Sequence, residues 1–110
     1  MIKFTYDGKE YELGFNRKTA EAAQRSGLDT DEIATKPLVQ VPLLFFWAFQ
    51  MNHPTVKRSK TEEIYSHIGD KTGLIRALTV EYISTYKDLF EDAEDDDNGG
   101  ENFVQWSSEN

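Results

Sequence analysis

The first fourteen residues alternate between apolar and polar positions, which predicts a β-hairpin. One face of this hairpin would carry Ile2, Phe4, Tyr6, Tyr11 and Leu13. Asp7-Gly8 supplies a two-residue turn that tolerates positive φ, and this turn pairs Phe4 with Tyr11. Because two strands alone are not stable in water, the aromatic face must pack on helices or pair with another chain.

Helical spacing of apolar residues organises the chain after the hairpin. We expect helices near residues 17–26, 38–52, 60–68 and 71–91, a further helical turn from about Thr30, and no strand within 38–90. Asn16 and Asp70 are predicted N-caps, and Ser59 with Glu62 forms a predicted capping box. The predicted fold is therefore mainly α: an N-terminal β-hairpin followed by about four packed helices and a disordered acidic C-terminal tail.

The helix predicted over 38–52 is apolar on almost every side from Leu43 to Met51, so we expect it at the centre of the core. The predicted buried residues are Leu44, Phe45, Trp47, Ala48, Leu78 and Tyr82. The aromatic block from Phe45 to Phe49 is interpreted as core packing, and part of this helix could instead face a neighbouring subunit.

Charge divides the chain into two predicted regions. Residues 91–110 contain eight acids and no Lys or Arg, whereas residues 1–90 contain twelve acids and twelve basic residues. We therefore predict a hairpin plus helical domain over 1–90 and a flexible acidic tail with an aromatic end over 91–110. A neutral body offers no footprint for nucleic acid.

The bulk composition predicts a cytoplasmic chain. It contains no cysteine, no N-terminal apolar signal core and no apolar run of the ~20 residues that a bilayer needs. A body of about 90 residues buries only roughly 60–65% of its unfolded surface, so self-association would help it. We expect a homo-oligomer, with no membrane partner.

Candidate chemical groups are few. Glu63 and His67 are four residues apart on one predicted helix face, but no third ligand is suggested near them or near His53, and zinc takes four donors. Adjacent Glu62 and Glu63 point apart on a helix, and there is no phosphate loop or nucleophile elbow. We therefore expect no metal, no cofactor and no enzymatic activity.

Three further groups are candidates for binding a partner. Lys57, Arg58 and Lys60 form a basic cluster that is either a solvated loop or a small contact site for an acidic surface, such as this chain's own tail. Aromatic residues are unusual in a disordered tail, so Phe103, Val104 and Trp106 are interpreted as an interaction motif. The alternatives are chance occurrence or a tail that folds back on the body. The hairpin aromatics Phe4, Tyr6 and Tyr11 are the third candidate group.

The order of these segments resembles the tail assembly chaperones of long-tailed bacteriophages over nearly the whole chain. The resemblance is carried by FTYDGKEYELGF, NRKTAEAAQRSG, KPLVQVPLLFFWAFQMNHPTVK, TEEIYSHIGDKTGLIRALTVEYISTY, the acidic linker and the final FVQW. It implies a non-enzymatic protein that binds the phage tape measure protein and recruits tail tube subunits. It also implies self-association, residence in the host bacterial cytoplasm, absence from the mature virion and, in many relatives, a longer frameshifted form.

A second interpretation is an acidic nucleic-acid mimic or inhibitor that binds a basic partner protein. The charge density of the tail favours it. However, mimics usually spread carboxylates over a folded face, and here the folded region is predicted to be neutral. Salt sensitivity of partner binding would separate the two interpretations, because an ionic complex weakens as salt increases.

Overall fold

The predicted fold class is confirmed by the computed structural model, which describes residues 1–92 and 104–108. The elements are β1 (Ile2–Tyr6), β2 (Lys9–Leu13), α1 (Arg17–Arg25), α2 (Pro37–Phe49), α3 (Arg58–Ser66) and α4 (Lys71–Ser84), with short 3₁₀ turns at Thr30–Glu32 and Lys87–Leu89. Residues 38–90 contain no strand, as predicted. Most of the predicted flexible tail lies outside the described residues.

The hairpin has the register that its turn predicts. Phe4 pairs with Tyr11, and Tyr6 pairs with Lys9 at the end of the ladder next to the turn. Asp7 and Gly8 both adopt positive φ, at 52° and 78°. This is the backbone twist that lets a two-residue turn join right-twisted antiparallel strands.

Two polar side chains cap the N-termini of helices, as predicted. Asn16 Oδ1 accepts a hydrogen bond from the Thr19 backbone N–H at 2.8 Å, and Thr19 Oγ1 accepts one from the Asn16 N–H at 3.1 Å. Asp70 Oδ1 accepts from the Gly73 N–H at 3.0 Å at the start of α4. These bonds satisfy backbone donors that have no partner within the first turn of a helix.

The capping box predicted at Ser59 and Glu62 is wrong. Helix α3 begins at Arg58, and Lys57 occupies the cap position without a side-chain cap. The Lys57 carbonyl already accepts the Thr61 backbone N–H at 3.1 Å, so Ser59 lies inside the helix and cannot cap it.

The last predicted helix is too long, since α4 ends at Ser84 rather than near residue 91. Ser84 Oγ donates to the Val80 carbonyl at 2.8 Å, and Thr85 Oγ1 donates to the Tyr82 carbonyl at 2.7 Å. Short hydroxyl side chains compete in this way with the regular backbone ladder. Among the described residues after Thr85, helical structure continues as the 3₁₀ turn Lys87–Leu89.

Five of the six predicted core residues are buried: Leu44, Phe45, Ala48, Leu78 and Tyr82. The sixth assignment is wrong, because Trp47 is only half-buried, whereas Phe49 is completely buried. Two residues along a helix are separated by a rotation of about 200°, so Trp47 and Phe49 point in nearly opposite directions. The hairpin covers the Phe49 side of α2.

The hairpin is fixed to the end of α2 by one backbone hydrogen bond and a set of ring contacts. The Gly14 N–H donates to the Ala48 carbonyl at 3.0 Å. The Phe49 ring lies 6.3 Å from the Phe4 ring, 5.6 Å from that of Tyr11 and 5.0 Å from that of Phe45, measured between centroids. The aromatic face of the hairpin therefore packs on this chain's own helices.

We expect Phe49→Ala to lower the free energy of unfolding by about 3–5 kcal/mol, because a fully buried aromatic ring is lost and a cavity remains. Trp47→Ala should lower it by roughly 1–2 kcal/mol, since only part of the indole leaves water on folding. Urea titration of both variants measures the difference. Equal destabilisation by the two changes would contradict the assignment of their faces.

Candidate partner-binding groove

Several of the candidate residues converge on one groove between β2 and the start of α3. It is lined by Lys9 and Tyr11 from β2, by residues 52–57 of the loop after α2, and by Ser59, Lys60 and Glu63 from α3. Its volume is about 620 Å³. We refer to it below as the hairpin–α3 groove.

Part of the groove lining is formed where the loop after α2 makes hydrogen bonds to the outer edge of β2. The Glu12 backbone N–H donates to His53 Nε2 at 3.0 Å, and Asn52 Nδ2 donates to the Glu12 carbonyl at 3.2 Å. These two bonds satisfy the Glu12 backbone groups on the open edge of β2 and hold the loop beside the hairpin.

Tyr6, Lys60 and Glu63 form a hydrogen-bonded cluster beside the groove. Tyr6 Oη donates to Glu63 Oε2 at 2.7 Å, and Lys60 Nζ donates to the same oxygen at 3.1 Å. The Tyr6 bond, followed by that of Lys60, holds the pKa of Glu63 below its ordinary value. The bond to Glu63 in turn raises the pKa of Tyr6 and that of Lys60.

The groove is locally cationic in a chain of formal net charge -8. Lys9, Lys57 and Lys60 line it with a single acid, Glu63, whose carboxylate already accepts two hydrogen bonds. Lys57 makes no ion pair within the described residues, and the first turn of α3 contains no acid. This charge balance is suited to carboxylate or phosphate groups rather than to cations.

The predicted Glu63–His67 pair is not arranged as a pair of metal ligands. His67 Nδ1 lies 3.0 Å from the Glu63 backbone carbonyl, whereas the Glu63 carboxylate faces Tyr6 and Lys60. Within residues 1–92 and 104–108, no three metal-ligating side chains come together.

The hairpin aromatics proposed to bind a partner are largely used inside the fold. Tyr11 is 4% exposed and stacks on Phe4 with centroids 5.6 Å apart. Phe4 and Tyr6 are half-buried. A partner would therefore contact Tyr6 and the rim of the Tyr11 ring in the groove rather than an open aromatic face, and binding at these residues remains a prediction.

The candidate residues at the end of the chain are placed differently. Val104 and Trp106 are 82% and 81% exposed. Phe103 lies outside the described residues. The exposed indole and valine are available to a partner, and their binding role also remains a prediction.

Exposed apolar side chains on the helical domain were not among the candidates. They are Leu38 and Val39 on α2, Val80 and Ile83 on α4, and Leu89 and Phe90 in the segment after it. For Leu38 and Val39 the signal in the sequence was the apolar character of α2 on all sides, since the fold leaves the first turn of this helix exposed. None of the helices described is both long and apolar enough to cross a bilayer.

Comparison with known proteins identifies the family. Residues 1–109 match the family described as a domain of unknown function, DUF5055, so the chain belongs to this family. No curated protein and no solved structure matches the chain.

We expect Tyr6→Phe to raise the pKa of Glu63 toward its ordinary value, because the variant keeps the ring but loses the hydroxyl that donates to the carboxylate. With its lowered pKa, Glu63 adds stability that is present above its unfolded pKa and is lost as pH falls through its folded pKa. Tyr6→Phe should therefore lose less stability on acidification. Carboxyl NMR titration measures the pKa, and urea unfolding across the acid range measures the stability.

Tyr86→Phe is the matched control for this prediction, because it removes a phenol that does not contact Glu63. The same shift of the Glu63 pKa in both variants would exclude the Tyr6 hydroxyl as its cause.

At alkaline pH the dependence of stability on pH has the opposite sign. The raised pKa values of Tyr6 and Lys60 add stability that is present below their unfolded values and is lost as pH rises through the folded ones.

Proposed function

We propose that this DUF5055 protein is a non-enzymatic phage tail assembly chaperone that binds the tape measure protein and recruits tail tube subunits. The observation that carries the proposal is the exposed Trp106, which follows a run of acids in the same tail. The order of segments that resembles such chaperones supports the phage role. In this proposal the protein acts in the host bacterial cytoplasm, is absent from the mature virion and forms a homo-oligomer.

The composition of the tail suits reversible apolar binding to a protein partner. Phe103, Val104 and Trp106 supply apolar area, and each large side chain contributes roughly 1.5–3 kcal/mol when fully buried. Ordering a segment on binding consumes about 2–5 kcal/mol of that gain. The remaining affinity is modest, as a chaperone that must leave its partner requires. The acids from Glu91 to Asp97 keep these apolar side chains from causing precipitation.

The exposed apolar residues of the helical domain extend the surface available to partners. Leu38 and Val80 are 92% and 60% exposed, on α2 and α4. Apolar side chains held on rigid helices suit contact with a long helical partner such as a tape measure protein. The tail would then provide a second, tethered contact that increases overall affinity.

We expect the double change Phe103→Ala, Trp106→Ala to weaken binding to the tape measure or tube protein by about tenfold or more, since 1.4 kcal/mol corresponds to a factor of ten. Co-expression with each partner, followed by affinity capture and titration, measures the loss. The helical circular dichroism signal and the melting transition should not change, because Trp106 lies outside the core.

Asn102→Ala, Gln105→Ala is the matched control, because it alters the same segment without removing an apolar side chain. If partner binding and oligomeric state are unchanged in the Phe103→Ala, Trp106→Ala variant, the tail has only a solubilising role. That result would falsify the proposed apolar binding by these residues.

The alternative function is an acidic mimic that occupies the nucleic-acid site of a basic protein. The density of acids in residues 91–97 favours it, since six of these seven residues are Asp or Glu. Affinity capture at increasing salt separates the two functions. A mimic releases its basic partner at moderate salt, whereas apolar binding through Trp106 persists at the same salt concentration.

A further inference from the structure

We propose that the hairpin–α3 groove is a binding site for an acidic peptide segment, and that its occupant is the segment Glu91–Asp97 of a second copy of this chain. This proposal does not depend on the phage role proposed above. It follows from the charges in the groove, from the way its lysines are held, and from where the acidic segment begins on the fold.

The charge of the groove opposes that of the rest of the molecule. Three lysines, Lys9, Lys57 and Lys60, face a space whose single acid, Glu63, is already hydrogen-bonded to Tyr6 and Lys60. The net negative charge of the chain lies entirely beyond residue 90. The cationic groove and the acidic segment are therefore complementary surfaces of the same protein.

Two of the lysine ammonium groups are held in place before a ligand binds. Lys9 Nζ lies 5.2 Å from the centroid of the Tyr11 ring, and Lys60 Nζ lies 5.3 Å from that of Tyr6. Cation–π contacts of this kind restrict a flexible side chain. A carboxylate that binds them loses less affinity to side-chain ordering than one that binds free lysines.

The acidic segment starts at the other end of the hairpin from the groove, so a segment that enters its own groove must turn back along the hairpin, whereas one that enters a second copy need not. Lys9 directly follows the hairpin turn. At the open end, Met1, Arg17 and Thr85 border one surface depression, and Arg17 Nη2 pairs with Asp88 Oδ1. The strand between Lys9 and Leu13 alone separates the two ends by about 13 Å. A head-to-tail contact joins the segment of one copy to the groove of the next without folding the chain back, and such contacts can form open chains.

The absence of cysteine permits a direct test with a spin label on Asn98→Cys in the full-length chain. Spin-labelled chain without isotope label is mixed with isotope-labelled chain that carries no spin label, so any relaxation enhancement is intermolecular. We expect enhanced relaxation at the amides of Lys57, Ser59 and Lys60, and its loss at about 1 M salt, where the Debye length is about 3 Å.

Lys57→Glu should abolish most of this enhancement, while Lys18→Glu should retain it. The two changes are matched, because both lysines are exposed and lie at the start of a helix, where a negative charge is compatible with folding.

A second sample has the isotope label and the spin label on the same chain, diluted into unlabelled protein, and detects contact within one chain. Enhancement only in that sample overturns the proposal of a second copy. Enhancement in neither sample, or equal loss in both lysine variants, overturns the groove as the binding site.

Discussion

The packing of the hairpin on the C-terminal end of α2 is the contact on which the rest of the structure depends. Neither element is stable alone, because the hairpin has only two strands and an isolated α2 would expose apolar side chains around its circumference. Phe49 joins them, since its ring contacts aromatic rings from β1, β2 and α2 itself. The Gly14 to Ala48 backbone bond fixes the distance between the two elements.

The same contact creates the hairpin–α3 groove. Once the hairpin lies over Phe49, the chain that leaves α2 runs beside β2, and Asn52 and His53 bond to the Glu12 backbone. These bonds bring the loop and the start of α3 next to Lys9 and Tyr11. The groove is thus a consequence of how the hairpin packs on α2, and changes that loosen the core around Phe49 would also alter the shape of the groove.

Local signals in the sequence were sufficient for the type and order of the elements and for the hairpin register, but not for the start of α3 or the end of α4. Asp7-Gly8 fixes the strand pairing, and Asn16 and Asp70 each bond within three residues of themselves. The buried face of α2 could be predicted only in part, since a helix that is apolar on all sides has no distinctive stripe. Leu44, Phe45 and Ala48 were assigned to the core correctly, and Trp47 was assigned to it wrongly.

The groove could not be predicted for a different reason. Tyr6 and Glu63 are 57 residues apart in the sequence, and nothing local indicates that they share a hydrogen bond. Glu12 and His53 are likewise separated by 41 residues. The sequence did identify Lys57 and its basic neighbours as a cluster, but the second wall of the groove comes from the hairpin and exists only in the folded chain.

Segregation of charge gives the two proposed contacts opposite responses to salt. Acidic tails repel one another, so added salt weakens the repulsion between copies and favours apolar contact through Trp106. The same salt screens the attraction between a tail and the lysines of a groove. If both proposed contacts form, the groove contact should dominate at low ionic strength and order copies head to tail. At high ionic strength the apolar contact should dominate, and it has no such direction. The two proposals together therefore predict that ionic strength selects the kind of association.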